Sequence, residues 1–315
     1  MYVLVLIGEI LIGQVGFCFT AVIDPLAGGL VMAVSGALGL AVYVIVKSRR
    51  ALPFRSLSPY ERVIVYRLAL GNVSMNVGYV YGVQSLGIGA IATMTAMGPL
   101  CIRAKVLWAR RRSRNGALHI ALRIMALIGV FVVNESWKEF GHFHADMIGG
   151  IACGILGAWS FWNYLRAFFG DVVPEEERTR IVAVADVISL PVIALTVWVA
   201  GLAIGGGYSA LLSSRVLVLG TVAGVLAFLV PTILTSIAAG KVSESVSGML
   251  YVLDSPLGSL VGLVGAHLGL LGIEQKPNGW HQVGTGVVAT VALVATILPF
   301  PNSDPPHHDL PAKER

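Results

Sequence analysis

Charge is what this chain has least of. Only 12% of its 315 residues are Asp, Glu, Lys or Arg, 56% are hydrophobic, and the mean hydropathy is +0.80. A soluble domain carries about 25% charged residues, so this composition excludes an ordinary water-soluble architecture and calls for lipid as the solvent. Cysteine is almost as scarce. Cys18, Cys101 and Cys153 lie inside apolar blocks and form neither a C-x-x-C pair nor a metal-ligand spacing, so a disulfide framework is excluded and they read as packing residues. No G-x-x-x-x-G-K-[ST] occurs, since Gly240-Lys241 lacks both the upstream glycine and the following hydroxyl, which excludes ATP hydrolysis by a P-loop. H-E-x-x-H and G-x-S-x-G are missing too, and His142, His144, His307 and His308 are dispersed in polar segments. No metal or other cofactor is expected. The net charge of +5 comes from short basic clusters between apolar blocks, where membrane orientation uses them; nucleic acid is not an expected partner.

What is abundant is long apolar runs. A helix needs about 20 apolar residues to cross the hydrocarbon, and ten windows qualify: Tyr2 to Val22, Leu26 to Val46, Val63 to Gln84, Leu86 to Leu107, Ala117 to Val133, Ile148 to Phe168, Ile181 to Ile204, Val216 to Ala239, Val246 to Leu268 and Gln282 to Leu298. The first window has no positive residue before it and no A-x-A-like site after it, so it reads as a mature span rather than a signal peptide. With both termini inside, every Lys and Arg except Lys138, Arg215 and Lys276 falls on the inner side, a bias that one missed span would scramble. The expectation is therefore an all-α, polytopic membrane protein with ten transmembrane helices.

A repeat underlies these spans. Met97-Gly98-Pro99-Leu100 and Asp254-Ser255-Pro256-Leu257 place a proline within the fourth and ninth windows, 157 positions apart. Two five-helix halves result, 1–134 and 146–300, followed by a polar cytoplasmic tail at 301–315. Because five is odd, the second half enters from the opposite side, giving inverted repeats of the kind secondary transporters use.

Candidate chemistry lies in polar groups at membrane depth, where a charge costs about 2.5 to 3.5 kcal/mol on insertion scales. Asp254, beside helix-breaking Pro256, reads either as a cavity-facing partner for a proton or substrate amine, or as a group that satisfies freed backbone. Glu9 with Gln14 in the first window is cavity lining or an interhelical hydrogen-bond pair. In the third window Asn72, Asn76 and Tyr79 recur at i, i+4 and i+7, with Gln84 beyond. That polar stripe must face protein or water, as interhelical glue or as a cavity wall. Thr95, just before Pro99, is a weaker candidate of the same kind, whereas Asp186, near Arg178 and Arg180, reads as an interfacial ion-pair residue in preference to part of the path.

These residues also carry a family resemblance. The ten spans in two halves with proline-bearing penultimate helices resemble the EamA-type members of the drug/metabolite transporter superfamily. Met75-Asn76, Tyr79, Tyr81, Val83-Gln84, Leu86-Gly87-Ile88-Gly89-Ala90 and Gly98-Pro99-Leu100 are similar to the threonine/homoserine exporter group, as are Pro231, Ser247-Gly248-Met249-Leu250, Asp254 and Leu260-Val261-Gly262. The resemblance implies a non-enzymatic exporter of small polar metabolites, amino acids among them, in the cytoplasmic membrane, driven by proton antiport. Thr95 stands where the family usually has glutamate, and the acid of the ninth span is kept as Asp254 with its proline displaced to Pro256. A passive channel or facilitator, and an intramembrane enzyme on lipid-linked substrates, are the rival classes; the partners expected are a small polar substrate, the proton and membrane lipid, with a second copy of the chain in a homodimer as a further candidate.

Overall fold

The computed structural model describes residues 2–9, 11, 25–48, 57–86, 88–140, 146–170, 173, 175–204, 213–239, 241–254, 256–257 and 279–301. The elements are helices: α1 (Tyr2–Glu9), α2 (Pro25–Ser48), α3 (Pro59–Leu86), α4 (Ile88–Leu100), α5 (Ala104–Ala109), α6 (Arg114–Val133), α7 (Trp137–Phe140), α8 (Asp146–Phe169), α9 (Glu175–Ile204), α10 (Ser214–Gly224), α11 (Val230–Ala238), α12 (Glu244–Tyr251) and α13 (Gly279–Ile297). Among the described residues there is no β-strand, only an isolated bridge between Ala239 and Val242. Among the described residues five stretches are long and apolar enough to cross a membrane: Ala27–Lys47, Arg114–Val133, Glu177–Val199, Ser214–Ala238 and Gly279–Ile297.

Local sequence explains where several helices begin. Ser58 precedes Pro59 at the first position of α3, where a missing N–H costs nothing. The Ser58 N–H donates to Glu61 Oε2 at 2.7 Å while the Glu61 N–H donates to Ser58 Oγ at 3.2 Å, a reciprocal capping box. Ser113 and Ser243 cap α6 and α12 by accepting from the N–H of Gly116 and Val246.

The breaks are as informative as the starts. The fourth apolar window reads as continuous to Leu107, but α4 stops at Leu100, turns through 101–103 with Arg103 in a left-handed conformation (φ 54), and restarts as α5. Pro99 lacks the N–H that would bond the Thr95 carbonyl, and the end of α4 leaves the carbonyls that follow without intrahelical donors. The buried Arg123 guanidinium of α6 takes them up, donating to the Leu100 and Ile102 carbonyls and, at 3.2 Å, to Ser245 Oγ at the start of α12. Cys101 sits exposed in this break rather than packed in a core. Between α10 and α11, residues Val225–Leu229 widen into a π-helical turn just before Pro231, which absorbs the backbone donor that proline lacks.

Helix α3 lies between α8 and α9, α2 packs on α9 and α10, α6 on α13, α4 on α8, α6 and α12, and α1 on α11 and α12. Small residues set the closest approaches. A Cβ on Gly284 would stand 2.6 Å from the Val133 backbone N and 2.8 Å from the Gly129 carbonyl oxygen, so α6 and α13 touch backbone to backbone. The main core gathers Leu165, Phe168, Ile181, Val65, Leu40 and Tyr251. The outward faces are also apolar: Leu38, Val42 and Val46 on α2, Val192, Leu195 and Trp198 on α9, and Leu293 and Ile297 on α13 are all exposed. Helices apolar on both faces belong in lipid.

Candidate functional site

The capping box starts α3 so that, three turns later, Asn72 faces α9. Its Nδ2 donates to Asp186 Oδ1 at 2.5 Å, tying the two helices at membrane depth. One turn on, the Ser189 hydroxyl folds back on the Asp186 main-chain carbonyl at 2.7 Å. Beside this pair is a cavity of about 10 Å³, room for the centre of a single water molecule. Ala33 and Ala37 of α2, Asn72, Asp186, Ser189, Leu190 and Ile193 line it, and Phe228 of the π-helical turn closes the fourth side. The alanines make the space: a larger residue at either position would fill it. Among its described lining residues Asp186 is the one that titrates.

This arrangement differs from the ion pair expected of Asp186. Along a helix, Arg180 and Arg178 lie six and eight residues before it, about 9 and 12 Å away along the axis, and both are engaged at the helix start. Arg178 is buried and donates to the Val173 and Gly170 carbonyls at 3.1 and 3.3 Å, closing the C-terminus of α8. Arg180 pairs with Glu177 and reaches Glu61 at 3.9 Å. Glu177, in the acidic run Glu175-Glu176-Glu177, thus joins a network linking α9 to the first turn of α3.

A second polar region lies around the broken helices. The chain leaves α12 through a turn at Val252 and Leu253 before Asp254, which is half-buried with Oδ1 shielded from solvent, and Pro256 is buried. Pro99 is buried as well, and its carbonyl is so close to Gly248 that a Cβ there would stand 2.7 Å away, so α4 and α12 meet at this glycine. Tyr251 is buried against the rings of Phe161 and Phe169 and shares a 3.2 Å hydrogen bond with Thr235 Oγ1. Thr95 does not point a free donor outward: its hydroxyl donates to the Ile91 and Ala92 carbonyls of its own helix, and its methyl faces Gly157.

Of the residues singled out from sequence, Asn72 lies at the α3–α9 cavity, while Thr95, Pro99, Asp254 and Pro256 lie on or next to the broken helices. Asp254 is not among the cavity's lining residues. Gln14 lies outside the described residues, as do the side chains of Glu9, Asn76, Tyr79 and Gln84. Among the described residues no three His, Cys, Asp or Glu side chains gather as a metal site. Sequence reasoning assigned Asp186 to an interfacial ion pair and passed over Arg123. For Asp186 the available signal was an acid six residues, about 1.7 turns, beyond the nearest arginine in an otherwise apolar run; for Arg123 it was a lone cation inside a span.

Fold and site together define an all-helical membrane-embedded protein with paired polar side chains between its spans. No family model matches the chain, and no curated protein does. Among solved structures it is similar to one described only as "Crystal structure of protein", at 14% identity and a TM-score of 0.65, over 94% of this chain and 96% of that one. That likeness shows a fold shared over nearly the whole chain.

Proposed function

We propose that the protein is a secondary active transporter that exports small polar metabolites, amino acids or related compounds, across the cytoplasmic membrane by proton antiport. In this reading ten spans form two inverted five-helix halves of the EamA type, both termini are cytoplasmic, and the halves rock about a midplane site to give alternating access. The observation that carries it is the meeting of α4, which ends just after Pro99, with α12, which stops at Tyr251 ahead of Pro256: the Pro99 carbonyl lies against Gly248. Interrupted helices that face one another are where transporters of this construction place substrate and ion sites.

The packing supports the two-fold arrangement. A helix falls within each apolar window, and most contacts have a mate: α3 on α8 answers α11 on α1, α4 on α8 answers α12 on α1, α3 on α9 answers α10 on α2, and α4 on α6 answers α12 on α13. The contacts α2 with α9, α4 with α12 and α6 with α13 are their own mates. A passive facilitator would share this geometry, and coupling to a gradient separates the two.

Asp254 is the acid next to the second interruption and takes the role of proton or substrate-amine partner, with Asn72, Asn76, Tyr79, Gln84 and Thr95 as neutral polar groups and Glu9 and Gln14 from the first span. In proteoliposomes, Asp254→Asn is expected to abolish substrate flux driven by an imposed proton gradient while the protein still expresses and folds. Flux equal to wild type would remove Asp254 from the mechanism, and flux indifferent to the gradient in wild type would favour the facilitator.

A further inference from the structure

We propose that Asp186, with Asn72 and the one-water cavity between α2, α3, α9 and the π-helical turn, is a proton-binding site separate from Asp254. A carboxyl at membrane depth persists only where something serves it. Here the partner is a primary amide, and the choice matters. An arginine or lysine opposite Asp186 would hold it ionised. Asn72 can serve either state, because its NH₂ donates to a carboxylate and its carbonyl, after a flip of the side chain, accepts from a carboxylic acid. The adjacent space, about 10 Å³, admits about one water, the minimum needed to hand a proton to or from the carboxyl.

The surroundings favour a proton over a metal cation. A bound cation needs several oxygen ligands, whereas the described lining offers the one carboxylate of Asp186, and Asn72 presents its N–H rather than its oxygen toward it. From α2 the lining groups are Ala33 and Ala37, from α9 they are Ser189, Leu190 and Ile193, and from the π-helical turn Phe228, so no described lining residue other than Asp186 titrates or carries charge. The basic groups nearest along α9, Arg178 and Arg180, are held at its first turns by the Gly170 and Val173 carbonyls and by Glu177 and Glu61.

The position adds a conformational link. Four segments meet at the cavity, and one of them is a π-helical turn, a widened backbone that reverts to α-helix by shifting a single residue. Phe228, which closes the cavity, rides on that turn, and a Cβ on Gly36 of α2 would stand 2.7 Å from its Cβ. Loading or unloading the proton thus acts on a contact between α2 and α10–α11. A role for this proton in coupling rests on the transport reading; its binding does not.

The test is infrared difference spectroscopy on the purified full chain in lipid nanodiscs during a pH titration, following the carbonyl band of a protonated carboxyl. Wild type and Asp254→Asn should both show a band that Asp186→Asn lacks, and Asn72→Leu should move its midpoint. Should Asp186→Asn fail to fold, Asp186→Glu serves instead, and its band should shift in frequency. A band unaltered by either Asp186 variant, or lost in Asp254→Asn, overturns the proposal. So does a band that sodium ions discharge at constant pH, since that marks a cation site. Proton-driven flux is measured on the same samples: an Asp186 band in a protein without such flux sinks the transport reading and leaves the proton site standing.

Discussion

Single side chains here act mainly by finishing helix ends. Glu61 takes the Ser58 backbone N–H and its hydroxyl, with the Arg180 guanidinium 3.9 Å away, and these hold its carboxyl below the usual carboxylate range against a smaller effect of burial. A carboxyl whose value is depressed by folding adds stability above its unfolded value, and that contribution is lost as pH falls through the folded value. Glu61→Gln, which keeps the cap but not the charge, should therefore be less stable than wild type at neutral pH, with the gap closing as pH drops below the ordinary carboxylate range. Thermal melts in detergent across that range check it, and a gap that ignores pH would assign the loss to the cap alone. Ser58→Ala should cost about 1 kcal/mol at neutral pH, the usual worth of an N-cap hydroxyl, and less at pH values where Glu61 is protonated. The capping pattern Ser58-Pro59-Tyr60-Glu61 is written in the sequence. That Arg180 completes it from another helix is not, because 119 positions separate the two.

At the level of elements, the interrupted helices depend on groups borrowed from neighbours. Arg123 serves the open end of α4 and the first turn of α12 with one guanidinium fork. A hydrogen bond to a charged group contributes about 1.5 to 3 kcal/mol, and carbonyls left unserved inside a membrane cost more. Arg123→Leu is thus expected to lower the thermal midpoint sharply. Arg123→Lys should fall between Leu and wild type, since an ammonium cannot reach two carbonyls and a hydroxyl as a planar fork does. A lysine variant as stable as wild type would mean that charge alone, without the fork, holds the break. Pro99 made the interruption foreseeable; where the chain turns and restarts depended on Arg123 arriving from α6. The stripe Asn72, Asn76, Tyr79 was equally legible as a face that must avoid lipid, and Asn72 does face protein. Its partner was not, since Asp186 and the two arginines close to it in sequence suggested a pair that helical rise forbids.

For the whole molecule, the charge bias makes a prediction that needs no substrate. In a background with the three native cysteines replaced, Ser113→Cys should react with a membrane-impermeant maleimide only from the cytoplasmic side, and Lys138→Cys only from the opposite side. Labelling of both from one face would break the span count between them. The broad architecture followed from the sequence by itself: long unbroken apolar runs, unlike the short alternating segments of a barrel, satisfy their backbone in lipid as helices. The repeated Gly-Pro and Ser-Pro segments likewise pointed to two interrupted helices, because proline's missing donor acts locally wherever it stands. What tertiary structure decided was the pairing of polar groups across helices: Asn72 with Asp186, Arg123 with the end of α4, Arg180 with Glu61. Such contacts depend on helix rotation and depth, which backbone-to-backbone approaches such as Gly129 against Gly284 set, and no local pattern in the chain encodes which distant face will be met.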